Sequence, residues 1–335
     1  MMLRHARHAL PVTVSTAAAV AMLAGCGSTT AGAGGSSSSA GSSSSQAAGT
    51  ASASSAGGAI TVSHAQGKTT LPKVPQRIVV LDYAALDTID ALGGTVVATP
   101  KKTLPPSLTK FKGANIVDAG TLKEPNIEKV KATKPDLIVI GGRSASLYKE
   151  LSKVAPTIDM TLKGKDAVAD YKSQVTTLGT VLGKSDEAKS KIAAIDSTVS
   201  RIKAKGQNAG TGLILMTSGG KVSTFGPGSR FGLIHDALGL KPTANTIKAD
   251  GHGQAVSFEF VNQAKPNRLF VIDRDSAIGQ SGKSAKAVLD NPLVNATPAG
   301  KNNKITYLDG QNWYLAGNGL RILPAMLQEV EKGLG

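Results

Sequence analysis

Apolar residues in this chain come in short runs bounded by turn formers, and the period of the pattern changes from run to run. Residues 78–81, 95–98, 137–140, 212–216, 222–225, 269–272 and 305–308 are brief and mostly rich in β-branched residues, which is the pattern of buried strands. Between them Leu86, Ile89, Ala91 and Leu92 keep helical spacing, as do Ile234 and Leu238 within 231–240, and Ile322, Met326 and Val330 near the end. Strand and helix alternating in sequence predict mostly parallel sheets covered by helices on both faces, because a parallel connection must cross back over its sheet. The expected class is α/β.

The stretch 166–205 breaks the alternation, with helical pattern and no strand. Ile192, Ile195, Val199 and Ile202 fall at i, i+3, i+7 and i+10, which predicts a long helix bridging two halves. Gly183 and Ser185 punctuate the stretch, and Ser185 followed by Asp186 and Glu187 suits a helix start. The halves also show as a repeat: Glu128, Val130, Lys134, Pro135, Asp136, Ile138, Val139 and Arg143 recur as Glu259, Val261, Lys265, Pro266, Asn267, Leu269, Phe270 and Arg274, at a constant offset of 131. Each copy reads as a helix opening on a glutamate, a Lys-Pro turn that stops it, a buried parallel strand, and an arginine just past the strand's carboxyl end. Ligands of open α/β sheets bind beyond those ends, so both arginines are aimed at the space between the halves. The expected organisation is an N-terminal lobe over 59–165, an interlobe helical segment over 166–207 and a C-terminal lobe over 208–335.

The first residues follow none of these patterns. Arg4, His5, Arg7 and His8 make a basic start, and an uncharged apolar stretch over 9–24 follows, which is the form of a secretory signal and too short for a membrane span. Leu23-Ala24-Gly25-Cys26 resembles a bacterial lipobox, which implies cleavage of a signal peptide over 1–25 and lipidation of Cys26. Residues 27–58 are almost wholly Ser, Gly, Ala and Thr, a flexible tether with an end-to-end reach on the order of 30 Å. Removing a leader that carries Arg4 and Arg7 takes the formal charge from +15 to +13.

Composition narrows the function. A chain of 335 residues, 41% hydrophobic, is no fibrous or wholly disordered protein, and one cysteine makes neither an internal disulfide nor a multi-thiolate metal centre. The basic excess is not matched by aromatics, at 4%, and no Lys/Arg run interleaves with them, so no nucleic-acid partner is expected. Gly282-Lys283-Ser284 and Gly183-Lys184-Ser185 fail as phosphate loops, because the required earlier glycine is Ala277 in one and Leu178 in the other. Gly226-Pro227-Gly228-Ser229-Arg230-Phe231-Gly232 has the wrong spacing for a dinucleotide fingerprint and reads as a loop feeding a helix. No Gly-x-Ser-x-Gly elbow occurs, and no residue set suggests catalysis. Of the histidines, His235 reads as part of a helical run, His64 as exposed ahead of the first strand, and His252 as a loop residue between Gly251 and Gly253.

From about Ile60 to Gly335 the chain resembles the iron-siderophore substrate-binding proteins of ABC importers, the helical-backbone class, in particular the catecholate branch with its enterochelin- and petrobactin-type binders. The resemblance is carried, in order, by Arg77-Ile-Val-Val-Leu-Asp-Tyr-Ala-Ala-Leu-Asp-Thr-Ile-Asp-Ala-Leu-Gly93, Leu122-Lys-Glu-Pro-Asn-Ile-Glu128, Lys134-Pro-Asp-Leu-Ile-Val-Ile-Gly-Gly-Arg143, Ser229-Arg-Phe-Gly232 and Trp313-Tyr-Leu-Ala-Gly-Asn-Gly319. It implies two α/β lobes joined by one rigid helix, with a ferric siderophore held in the cleft and no reaction catalysed. It also implies that Arg143, Arg230 and Arg274 form a basic triad facing the ferric catecholate, and that His252 and Tyr314 ligate iron that the siderophore leaves open. Tyr83 and Trp313 become candidates for cleft walls, and Trp313 and Tyr314 compete to face the ligand. Glu128 and Glu259 match the paired glutamates with which such proteins dock on the two subunits of a FecCD-type permease, which works with a cytoplasmic ATPase. The expected protein is a monomer with no intrinsic cofactor, lipid-anchored on the outer face of a cytoplasmic membrane, as in Gram-positive cells. Haem or cobalamin capture on the same fold, or an exported enzyme, remain open as alternatives.

Overall fold

The computed structural model describes residues 58–162, 166–244, 247 and 253–335; the signal segment, Cys26, nearly all of the tether and His252 lie outside the described residues. A hairpin of β1 (Ile60–His64) and β2 (Gly67–Leu71) opens the body. A five-stranded sheet follows, built from β3 (Ile78–Val80), β4 (Val96–Thr99), β5 (Val117–Asp118), β6 (Leu137–Ile140) and β7 (Thr157–Asp159) in the order β5-β4-β3-β6-β7, with every pair parallel. Burial on both faces explains why β3 and β6 are continuous apolar runs with no polar alternation.

The second sheet comprises β8 (Thr211–Ser218), β9 (Lys221–Phe225), β10 (Lys241–Pro242), β11 (Gln254–Val256), β12 (Arg268–Asp273) and β13 (Ile305–Leu308), ordered β11-β9-β8-β12-β13 with β10 also on β8. It is mixed, because Gly219 and Gly220, at φ 56° and 74°, make the two-residue turn that folds β9 back antiparallel on β8. β5, β7, β10 and β11, of two or three residues, are too short to show a period and were not anticipated; nor was the opening hairpin, whose five-residue strands are mostly polar.

The repeat is structural. Helix α2 (Ile127–Ala132) leads to β6 as a later helix, Phe258–Ala264, leads to β12, and the linking lysines, Lys134 and Lys265, share a left-handed conformation at φ 47° and 45°. The residue after each proline then clamps a neighbouring strand. Asp136 accepts from the Gln76 and Arg77 amides at 2.7 and 2.8 Å, and Asn267 accepts from the Thr211 amide at 2.9 Å.

Between the sheets the chain forms α3 (Ala167–Val181), capped by Asp166, and the expected long helix, α4 (Ser185–Gln207), which begins at Ser185 as its residues suggest. The break falls at Gly183, at φ 67°. At 23 residues α4 is about 35 Å long. Near its start Ala188 packs so closely on α3 that a Cβ at Gly179 would lie 2.6 Å from the Ala188 methyl; near its end a Cβ on Gly206 would overlap the Leu238 carbonyl. The helical run expected over 231–240 shrinks to Leu233–Asp236, because the chain turns at Gly239, φ 73°, to enter β10.

A second tie runs from the chain's end back to its beginning. Asp87, 0% exposed on α1 (Tyr83–Ala91), accepts from the Arg321 and Ile322 amides at 2.7 and 3.3 Å and from Arg321 Nε at 2.8 Å. It thereby caps the last helix, numbered α6 below after α5 (Phe258–Ala264): α6 (Ile322–Leu334) has no side-chain cap of its own. Arg321 reaches Asp90 as well, at 2.6 Å, and α6 lies along α4 through ion pairs of Glu331 with Arg201 and Lys205. One hydrophobic cluster runs through residues of both sheets, α3, α4 and α6.

Replacing Arg321 by Ala leaves a buried carboxylate with backbone donors alone. The expected cost is about 3 kcal/mol in denaturant unfolding, whereas Lys189→Ala, which breaks an exposed 3.9 Å pair with Asp186, leaves the midpoint unchanged. Equal midpoints for the two variants would show that Asp87 is not the tie described.

Candidate ligand-binding cleft

Two of the candidate arginines are placed by the repeat. Gly141 and Gly142 carry the chain out of β6 to Arg143, and only glycine fits at 141, where a Cβ would overlap the Asp82 carboxylate that caps α1. Arg274 follows β12 directly. Both project beyond strand carboxyl ends, as the pattern predicts. Arg230 comes from the loop ahead of Leu233–Asp236.

All three converge on Tyr314. Residues Gln311–Ala316 form a π-helical turn that Gly317 ends at φ 61°, and the carbonyls at its end are turned toward arginine. Arg143 donates to the Tyr314 carbonyl at 2.5 Å and to the Leu315 carbonyl at 3.2 Å; Arg230 also donates to the Tyr314 carbonyl. Arg274 donates through Nε to the phenol oxygen at 3.2 Å. The guanidinium carbons of Arg143, Arg230 and Arg274 lie 5.6, 4.5 and 5.6 Å from the ring centroid. Arg274 is itself aimed by Ser218 Oγ at 3.0 Å and by the buried Asp275 at 3.2 Å; Asp275 also accepts from the Gly219 amide at 2.5 Å.

These contacts set the charges. Burial raises the Tyr314 phenol, but the Arg274 hydrogen bond and the charges of Arg274, Arg230 and Arg143 outweigh it and hold the phenol below its usual value. Burial of the guanidinium tip against the Phe231 and Tyr314 rings, with Arg143 beside it, pulls Arg230 down to about 10, so it stays charged at neutral pH. A cavity of about 390 Å³ opens beside the cluster, with Arg143, Arg230, Tyr314, Lys123 and Asp82 among its walls. Burial raises the Asp82 carboxyl despite its bond from the Ala85 amide. The cavity therefore faces a ligand with positive charge in excess.

Other expected site residues fall elsewhere. Trp313 is among the cavity's lining residues but is 3% exposed and donates to Glu329 at 2.9 Å, and Tyr314 is the aromatic whose ring the arginines surround. Tyr83 is not a cleft wall: it is buried in the core, its hydroxyl donating to the Pro100 carbonyl at 3.1 Å. His64 is not exposed, because it closes β1 and its buried ring lies 5.6 Å from that of Tyr148. His235 is a core residue bonded to the Leu240 carbonyl at 2.8 Å. Glu128 and Glu259 are each the second residue of their helices, exposed, behind the caps Asn126 and Ser257; the Ser257 hydrogen bond lowers the Glu259 carboxyl. Sequence reading missed Ser218 and Asp275. The only signal was an acid beside Arg274 and a Ser-Gly-Gly turn, neither distinctive without the fold.

Residues 78–312 match the family model described as periplasmic binding protein. The chain is similar to the petrobactin-binding protein YclQ of Bacillus subtilis, with 43% identity over 280 residues, spanning 82% of this chain and 88% of that one. It superposes on the crystal structure of YclQ with a TM-score of 0.78 at 42% identity, covering 82% of this chain and 98% of the other. The periplasmic catecholate-siderophore binding protein VctP of Vibrio cholerae superposes with a TM-score of 0.75 at 35% identity, covering 82% and 99%.

In a spectrophotometric titration of the ligand-free protein, Tyr314 is expected to ionise ahead of Tyr83, Tyr171 and Tyr307, all raised by burial and Tyr171 to about 12. Tyr314→Phe should abolish the earliest step. Its survival would place the low phenol elsewhere.

Proposed function

This chain belongs to the periplasmic binding protein family, and from that premise we propose that it captures a ferric siderophore outside the cytoplasmic membrane and hands it to an ABC permease. The convergence of Arg143, Arg230 and Arg274 on Tyr314 carries the reading. A ferric catecholate is an anion whose charge sits on oxygens around the metal. Planar guanidinium groups donate to such oxygens and keep their charge at neutral pH. The relatives named for petrobactin and for catecholate siderophores support this ligand class.

Iron comes as cargo, and the chain's part is to receive its complex. Ferric iron favours hard donors, so the Tyr314 phenol, already shifted toward its anion, suits a position that a siderophore leaves open, and His252 is its proposed companion. The two lobes are proposed to be 59–165 and 208–335, with 166–207 between them. Cys26 is the proposed lipid anchor, holding the monomer outside the membrane by its tether. Glu128 and Glu259, one per repeat and both exposed, are the proposed contacts for a FecCD-type permease pair with its cytoplasmic ATPase. Nothing in this role calls for catalysis.

Trp313 is the only tryptophan and adjoins Tyr314, so its fluorescence reports the site. Titration with a ferric catecholate should quench it, and Arg143→Ala, Arg230→Ala and Arg274→Ala should each weaken binding by about 1.5–3 kcal/mol, the worth of a charge-assisted hydrogen bond. Unchanged affinity in all three variants would sink the triad. For docking, Glu128→Ala and Glu259→Ala should slow iron uptake by cells while leaving solution affinity intact. Lowered affinity with normal uptake would put these glutamates in the wrong place.

A further inference from the structure

The cleft has an apolar side that charge recognition does not use. Strand β7 is the edge of the first sheet and lies beside β6, so its carboxyl end emerges next to the segment that carries Arg143. There the chain runs through Met160, Thr161 and Leu162, close enough to the other segment that a Cβ on Gly142 would sit 3.7 Å from the Thr161 methyl. Leu162 is 48% exposed. Of the three large exposed hydrophobic residues among the described residues, Val117, Leu162 and Tyr307, it alone lines the cavity beside the arginines. Phe231, Leu233, Leu315 and Met326 continue the apolar lining.

The backbone leading to Leu162 is fixed. Asp159, 1% exposed, accepts from the Thr161 amide at 2.9 Å and the Thr161 hydroxyl at 2.5 Å, and with its other oxygen from Gln66 Nε2 at 2.9 Å. The Met160 amide donates to the Ile140 carbonyl at 2.8 Å, and Gln174 Nε2 donates to the Met160 carbonyl at 2.5 Å. Such bonding holds the backbone at the cleft rim and leaves an apolar side chain half in water, where any ligand surface that covers it gains affinity.

We propose that Leu162, backed by the nearly buried Met160, forms a shelf for the carbon edge of an aryl ring of the bound iron complex, and that Leu162 thereby distinguishes aryl siderophores from carboxylate ones. This rests on the siderophore reading of the same cleft. In a ferric catecholate the oxygens gather at the metal and the C–H edges of the rings point outward. With the oxygens toward the arginines, a ring edge is the part left to meet the shelf. Ferric citrate offers the same arginines a negative charge but has no ring edge to cover Leu162. The arginines therefore serve both kinds of complex and Leu162 only one.

The test uses the ferric complex of a 2,3-dihydroxybenzoyl amide and ferric citrate, with Leu162→Asn, similar in size but polar, and Leu162→Met, which stays apolar. Leu162→Asn should bind the aryl complex about 3- to 10-fold more weakly, from the uncovered half of a leucine side chain, while Leu162→Met stays within about 2-fold of wild type. Ferric citrate, at whatever strength the wild-type chain binds it, should be held equally by both variants. Equal losses for both complexes, or no loss of the aryl complex in Leu162→Asn, would overturn the inference and leave the siderophore reading standing. A wild-type chain that does not bind the aryl complex would overturn both.

Discussion

Three guanidinium groups held around one tyrosine ring are the constraint on which the structure's function turns. Arg143 and Arg230 donate to the same Tyr314 carbonyl, and like charges held that close near a protein surface repel by on the order of 2–4 kcal/mol, comparable with the charge-assisted hydrogen bonds that the arginines make here. The Tyr314 and Leu315 carbonyls and the Tyr314 phenol offset that repulsion without cancelling it, because they bring dipoles and no full charge. An anionic ligand would supply what is missing. The same field holds the phenol below its usual range, so the chemistry of Tyr314 and the charge of the cleft are one arrangement.

The rest of the fold keeps the three arginines within reach of that ring. Arg143 and Arg274 leave different sheets, and both sheets are referred to one frame: α4, seated at Gly179 and Gly206, and α6, capped by Asp87 of α1. The π-helical turn carrying Tyr314 lies just ahead of that cap, tied at one side by Glu329 to Trp313 and the Asp309 amide and at the other by Thr88 to the Leu320 amide. Tyr314 is thus strung between anchors on α6 and α1. Close glycine contacts and a buried carboxylate leave little slack in this frame.

The central parallel strands were legible because burial on both faces writes them as unbroken apolar runs, and 137–140 matches its strand residue for residue; 305–308 matches too, although that strand is only partly buried and Tyr307 is exposed. The repeat was legible through its turn chemistry, and the left-handed lysines show why Lys-Pro recurs in the same place. The short edge strands, the opening hairpin and the mixed order of the second sheet were not, since two or three residues carry no period, the hairpin strands are mostly polar, and Gly219-Gly220 gives no strand partner in advance. Tyr83 and His64 were misplaced for a shared reason: a polar tip on an aromatic body reads as exposed until a specific partner, the Pro100 carbonyl for one and the β1–β2 hairpin with Tyr148 for the other, is seen to cover it. Residues that aim other residues, Ser218 and Asp275 toward Arg274, are invisible to pattern because their role exists only in three dimensions.

The central claim is that positive charge in this cleft selects its ligand. It is tested most directly by calorimetric titration of the intact protein with ferric complexes of similar size and graded charge, from trianionic catecholate through neutral hydroxamate to a cationic complex. The account predicts affinity falling stepwise as negative charge is removed, and falling with added salt for the anionic complexes only. Equal affinity for the anionic and neutral complexes would contradict it.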